Sequence, residues 1–134
     1  MQDFTKLVVW QRAQSFAISV YRATERLSES RSAGLRSQLR RAATSIAANI
    51  AEGASASGQV QFARYLQIAI GSASEVESHL DFASRLECIP PARLTPLVSE
   101  VQALRRMLVV LRRRVLEGSG ELATRNSNSP LGTE

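Results

Sequence analysis

Two arginine-bearing stretches without acids are the parts of this chain whose residue types could do chemistry. In the later one, Arg105 and Arg112 are spaced by one heptad, as are Arg106 and Arg113, and Arg114 adjoins them. No acid lies between Glu100 and Glu117. In the earlier one, Arg36 and Arg40 lie one helical turn apart with Arg41 beside them, and residues 31–51 contain no acid. A guanidinium is permanently charged and planar, and its fork matches phosphate or carboxylate bidentately. The chemistry implied is therefore anion contact. A phosphate-binding strip is one reading. Each phosphate it neutralised would steepen the salt dependence of binding by about one unit. The other reading is a solvated outer face, or a seam flanked by salt bridges to acids of a neighbouring helix. No aromatic residue accompanies the strip, so stacking of single-stranded bases is not expected.

Whole-chain charge is compatible with both readings. The 17 basic residues are one lysine, Lys6, and otherwise arginine; against 12 acids they leave a net charge of +5. Such an excess permits a nucleic-acid partner without demanding one. Acids gather late in the third helical segment as Glu75, Glu77, Asp81 and Glu87. In an antiparallel pair these would lie beside the start of the second segment. Pairing of Arg40 and Arg41 within the bundle or between subunits is expected, with Glu75 as a partner for Arg40.

Catalysis finds no support. His79 is the only histidine, and Glu75 and Glu77, two residues apart, point to different sides of a helix. No phosphate-cradling glycine loop, nucleophile elbow or Glu-x-x-His pair occurs. No enzyme activity, cofactor or metal is expected. Cys88 stands alone, so no internal disulfide can form; it reads as a small buried hydrophobe, and a cytoplasmic location fits. Charges and glutamines interrupt the first 30 residues, against a secretory leader. No apolar run approaches the roughly 18 residues of a membrane span.

Four helices must position these residues. Helix 1 is predicted from about Thr5 to Leu27, with Leu7, Trp10, Ala13, Ala17, Val20, Tyr21 and Thr24 as its stripe. Helix 2 runs from about Ala33 to Glu52 on Leu35, Leu39, Ala42, Ile46 and Ile50, with Gly53 as its C-terminal cap. Helix 3 runs from about Gln59 to Cys88 on Phe62, Leu66, Ala69, Ala73, Val76, Leu80 and Ala83, and Pro90-Pro91 stops it. Helix 4 runs from about Ala92, or from nearer Thr95, to Leu116 on a heptad seam of Leu94, Leu97, Val101, Leu104, Leu108, Leu111 and Val115. Pro96 is placed in its first turn, where a missing N–H costs little. No strand-type alternation occurs.

The fold class is all-α, an antiparallel up-down four-helix bundle over residues 1–117, followed by a disordered polar tail over 118–134. With 44% hydrophobic but only 5% aromatic residues, its core must be mostly Ala, Leu, Ile and Val. Asn49 and Ser72 lie near apolar faces and are expected to pair and fix register. Gly71, inside helix 3, is expected to mark close approach of another helix. Val109, Val110, Leu116, Ile68 and Ile70 fall outside the main stripes. The oligomer interface is assigned to Ile68, Ile70, Val109 and Val110.

Several blocks in order carry a family resemblance: Phe4, Leu7, Val9-Trp10-Gln11 with Ala13, Val20-Tyr21 with Thr24, Gly34-Leu35, Gln38-Leu39-Arg40-Arg41-Ala42, Ser45-Ile46 and Asn49-Ile50-Ala51-Glu52-Gly53. On helix 3 they continue as Phe62, Leu66, Ile68-Ala69, Gly71-Ser72 and Glu75-x-Glu77. Over residues 4–116 the chain resembles the bacterial four-helix-bundle family first noticed inside large-subunit rRNA intervening sequences. The accessory variability determinant of diversity-generating retroelements belongs to the same family. The resemblance implies a homopentameric ring. In the retroelement branch it implies a basic platform that binds a reverse transcriptase and nucleic acid. Arg40 and Arg41 carry over from the family; the helix 4 stripe is this chain's own. The family often opens helix 3 with basic residues and Ser-x-x-Glu-Phe, where this chain has Gly58-x-x-Gln61-Phe62. Loss of the basic loop residues weakens the nucleic-acid reading, whereas glycine for serine at the cap costs only a few tenths of a kcal/mol.

The function expected is that of a non-enzymatic oligomeric bundle contacting the backbone of RNA or DNA through Arg36, Arg40, Arg41, Arg105, Arg106, Arg112 and Arg113. The alternative is a protein-interaction scaffold whose arginines serve salt bridges within and between subunits.

Overall fold

A computed structural model of the chain describes residues 3–28 and 30–128, with side chains through Gly118. It contains a short 3₁₀ turn, Phe4–Lys6, and four helices: α1 (Val8–Ala23), α2 (Leu35–Ser55), α3 (Gln59–Leu86) and α4 (Pro91–Asn128). Each helix packs against its neighbours in sequence, and α4 returns to α1, which closes an up-down four-helix bundle. The α2–α3 and α3–α4 seams are the extensive ones and α1–α4 is the thinnest. No strand occurs among the described residues.

The core follows the predicted stripes of α2 and α3 residue for residue. On α4, Leu111 alone of the seam is only partly buried. Helix α1 is rotated from the expected stripe: Val9 and Phe16 are buried, whereas Tyr21 is 45% exposed. Phe4 and Trp10 meet edge-to-face at 5.1 Å, so the 3₁₀ turn covers that end of α1.

Helix ends differ from expectation for local reasons. Asp3 accepts from the Thr5 N–H and caps the 3₁₀ turn, so α1 begins only at Val8. The Thr24 hydroxyl donates to the Val20 carbonyl at 2.7 Å, and α1 ends there rather than at Leu27. Ala33 and Gly34 both have positive φ, which moves the start of α2 to Leu35. Glu87 adopts the left-handed conformation and the Cys88 N–H returns to the Ala83 carbonyl, so α3 stops at Leu86, before the prolines. The Pro90 carbonyl accepts from the Arg93 and Leu94 N–H groups, and α4 opens with Pro91. Pro96 is therefore inside the helix, past its first turn. Both Pro96 and Ala92, whose carbonyl it leaves unpaired, face solvent. The backbone of α4 continues past Leu116 to Asn128, because extension costs less than nucleation and no proline intervenes before Pro130. Residues 129–134 of the expected tail lie outside the described residues.

Three glycines act differently from their sequence reading. Gly53 does not cap α2, which runs two residues further. It is buried against α3, and a Cβ there would meet Tyr65 Cβ at 2.8 Å and Phe62 Cδ1 at 3.0 Å. Gly71, expected at a close helix contact, has nothing within 4 Å of such a Cβ and faces outward from the bundle. Gly58 holds φ 89° and ψ 158°, a region essentially restricted to glycine, so a serine cap would be strained there.

Polar contacts fix the α2–α3 register. The Ser45 and Ser72 hydroxyls are 2.9 Å apart across the seam, and Asn49 Nδ2 donates to the Ser45 carbonyl at 2.8 Å. Ser72 thus has the register-fixing role expected of it, whereas Asn49 pairs only within α2, with Ser45.

Glycine in a helix interior normally gains about 0.5–1 kcal/mol on replacement by alanine. At Gly53 the sign reverses: Gly53→Ala is expected to cost about 1–3 kcal/mol through overpacking. A urea titration reads this directly, and an unchanged or higher midpoint would show that α2 and α3 are not in close contact there.

Candidate nucleic-acid interface

The seven candidate arginines do not form one surface. Arg36, Arg40 and Arg41 lie in the first half of α2, beside the end of α1. Arg106, Arg112 and Arg113 lie further along α4, towards the opposite end of the bundle. Their surroundings sort them into structural ties and solvent-facing charges.

Arg40 is a tie. Its Nε donates to Thr24 Oγ1 at 2.9 Å and its Nη2 to the Tyr21 carbonyl at 3.0 Å. The guanidinium lies 4.3 Å from the centroid of the Tyr21 ring. A long α2 side chain therefore caps the C-terminus of α1, where carbonyls lack partners and the macrodipole favours a cation. The expected Arg40–Glu75 pair is not formed. Glu75 instead meets His79 one turn along α3, at 3.3 Å. The Arg41 side chain is exposed and makes no ion pair or hydrogen bond with the described residues.

Arg105 is also a tie. Its Nη1 forms an ion pair with Glu77 of α3 and lies 3.4 Å from Ser74 Oγ. Gln102 Nε2 donates to the second oxygen of Glu77 at 2.6 Å. The hydrogen bond from Gln102, then that from Arg105, holds the Glu77 carboxyl below its ordinary value. This is the salt-bridged seam that the heptad register allows. Its heptad mate Arg112 has a buried Nε without a hydrogen-bond partner. Arg113 is exposed and reaches only Glu117, at 3.9 Å. Arg106 is exposed; with Arg114 it borders a groove of about 460 Å³ whose floor includes Val8, Val110 and Leu111.

The expected interface residues separate too. Ile68 and Val109 are 45% and 47% exposed. Ile70 packs against the core, and Val110 is half-buried in that groove. Phe82 and Leu86, which the sequence reading left out, are exposed on α3 one turn apart.

Sequence reasoning also missed Arg12. This residue grips Glu100 across α1–α4 through two hydrogen bonds, Nε at 3.1 Å and Nη2 at 2.6 Å. The hydrogen bond to Glu100, more than its charge, raises the Arg12 pKa. It missed Arg22, Arg26 and Arg93 as well, which line a groove between α1 and α4. Glu25, between Arg22 and Arg26, breaks the acid-free run that singled out the other stretches. Only the third dimension brings Arg93 to them.

Among the described residues, no group of three or more His, Cys, Asp or Glu is placed to hold a metal ion, and no helix is long and apolar enough to cross a membrane. Cys88 is half-buried, with its Sγ 3.7 Å from the Ala83 carbonyl. Fold and surface together define an arginine-rich helical-bundle protein. The chain belongs to the 23S rRNA-intervening sequence protein family, whose model matches residues 5–110. It is similar to the crystal structure of a protein with unknown function from the S23 ribosomal protein family of Bacteroides thetaiotaomicron VPI-5482. That likeness has a TM-score of 0.73 at 25% identity and covers 79% of this chain and 96% of the other. No curated protein matches the chain.

Two outcomes test the assignment of ties. Arg40→Gln removes a charged cap and a cation–π contact, and is expected to cost about 1–3 kcal/mol in chemical denaturation. A loss below about 0.5 kcal/mol, as for a typical surface change, would return Arg40 to the free surface charges. Because the folded pKa of Glu77 lies below the ordinary 4.5, its contribution is full above that pH and is lost as pH falls through the folded value. The stability gap between the native protein and Glu77→Gln should therefore narrow on acidification below about pH 4.5. A gap of constant size in urea titrations down that range would contradict the Gln102–Glu77–Arg105 cluster.

Proposed function

We propose that this chain is a non-enzymatic, self-associating bundle that binds RNA or DNA through the phosphate backbone. One observation carries the reading: its arginines outnumber the carboxylates within reach of them. Arg41 and Arg106 are exposed without partners among the described residues, and Arg113 has only a long, exposed contact to Glu117. Exposed pairs of that kind contribute little and exchange readily with a phosphate. Arg36 and Arg112 flank these charges, whereas Arg40 and Arg105 serve the fold first. With no base-reading element beside them, the arginines position a backbone and do not read sequence.

Self-association is supported by Ile68, Phe82 and Leu86 on α3 and Val109 and Leu116 on α4, all apolar and exposed. Gly71 supports it too: a glycine in open space on a long helix costs about 1 kcal/mol relative to alanine and makes room for a neighbour. A ring of five and a reverse transcriptase partner are what the family resemblance adds, and a cytoplasmic setting fits the single thiol. The second reading, a protein-interaction scaffold, is favoured by Arg12, Arg40 and Arg105. All three join one helix to another, so part of the arginine excess is structural.

Binding of the purified protein to a structured RNA and to a duplex DNA, titrated across a salt series, separates the readings. Micromolar or tighter binding near physiological salt is expected. Its log–log salt slope should fall by about one unit for each of Arg41, Arg106 and Arg113 changed to Gln. No binding even at low salt would leave the scaffold. Light scattering that found a monomer at micromolar concentration would remove self-association.

A further inference from the structure

Two grooves meet at the C-terminal turn of α1. One, of about 630 Å³, lies between α1 and the start of α4; Arg22, Arg26 and Arg93 line it over a floor that includes Pro96 and Leu97. The other, of about 720 Å³, lies between α1 and α2; Arg22 lines it together with Arg36, Arg40 and Tyr21. Arg22 and Glu25 line both, so the two grooves join across the end of α1 in one track where arginine outnumbers acid.

The charges there are not balanced. Glu25 and Glu100 are the carboxylates of the first groove. Glu100 is already held by Arg12 through two hydrogen bonds, which leaves Glu25 alone facing three arginines. The side chains of Arg22, Arg26 and Arg93 are exposed and make no hydrogen bond or ion pair with the described residues. Attraction to the carbonyl end of α1 accounts for Arg22 and Arg26. It does not account for Arg93, which sits in the first turn of α4, where the helix dipole disfavours a cation and no acid compensates. A cation kept at the wrong end of its helix, beside two more, raises the positive potential of a concave surface. Such a surface concentrates field and favours an anion.

We infer that the phosphates of a nucleic-acid strand are held at this end of the bundle, with Arg22, Arg26 and Arg93 as the direct contacts. Arg22 lies in the last turn of α1, Arg26 in the turn that follows the helix, and Arg93 lines the same groove from α4. The three forks can therefore engage successive phosphates rather than a single one. Of the track's two aromatic residues, Phe16 is buried and Tyr21 is covered on one face by Arg40, so contact is to the backbone and not by base stacking. This inference rests on the phosphate-binding function proposed above and places its main contact away from the α4 stripe.

The test is a salt series with the full chain, a structured RNA and a duplex DNA. In Arg22→Gln/Arg26→Gln/Arg93→Gln the log–log slope for duplex DNA should fall by about 2–3 units. Glu25→Gln, a single surface change unlinked to the packing, should tighten binding severalfold at low salt. The inference is overturned if the wild-type chain binds and neither variant changes affinity or slope, while Arg41, Arg106 or Arg113 variants do; the binding function then stands with its contact elsewhere. Absence of wild-type binding at low salt overturns both. Should the triple variant not fold, Glu25→Gln decides: unchanged affinity sinks the placement, tighter binding supports it.

Discussion

The register of α2 against α3 is the constraint on which the rest of this structure depends. A core this poor in aromatic residues can exclude water only if its helices approach closely, and the α2–α3 seam does so at Gly53, against a helix with alanines among its buried residues. Apolar surface alone would tolerate a slip of one turn along such a seam, because one alanine resembles the next. Gly53 forbids the slip sterically, since Phe62 and Tyr65 fit only over a residue without a Cβ. The Ser45–Ser72 contact forbids it chemically, since a slip would leave a buried hydroxyl without a partner. With that register set, α3 in turn presents Glu77 and Ser74 to α4 at the height of Arg105.

Electrostatics then divides one residue type into two roles. Arg12, Arg40 and Arg105 each join two helices and are partly withdrawn from water, where a hydrogen-bonded charge contributes more than it does in the open. The α1–α4 seam is the thinnest of the four, and the Arg12–Glu100 clamp spans it where apolar contact is least. The side chains of Arg22, Arg26, Arg41, Arg93 and Arg106 stand on the surface and make no ion pair with the described residues. A bundle stabilised by alanine packing inside and by a few arginine ties between helices is free to carry unpaired charge outside. Membership of the 23S rRNA-intervening sequence protein family accounts for the architecture and leaves the use of that charge to the particular chain.

How much was legible in the sequence differs by element. The stripes of α2, α3 and α4 were readable because three-and-four spacing of large aliphatics has a single solution on a helix. Helix α1 was harder: Tyr21 continues the apolar spacing, yet its ring lies outside under Arg40, a residue far along the chain. Gly53 and Gly71 departed from expectation for a similar reason. A glycine after Glu52 has the local signature of a cap and one inside α3 the signature of a close contact. Which of them a neighbour touches depends on rotation about the helix axes. The end of α3 was placed at the prolines, although a left-handed Glu87 stops it earlier; nothing in the residue type announces that conformation. Among the arginines, density along the chain was readable and partnership was not. Arg40 pairs with Thr24 and Tyr21 rather than Glu75, and Arg93 meets Arg22 and Arg26 from another helix.

By itself, the sequence determined that the chain forms four amphipathic helices, that they pack through small aliphatic side chains, and that arginine exceeds acid. Periodicity, composition and charge are local or additive, and each survives projection onto a line. Only the tertiary structure decided which arginines are ties and which are free, which glycine is a contact, and that Arg22, Arg26 and Arg93 share one groove. Those outcomes depend on helix rotation and register. A rotation of one residue's width exchanges a carboxylate neighbour for solvent, and no spacing along the chain encodes it.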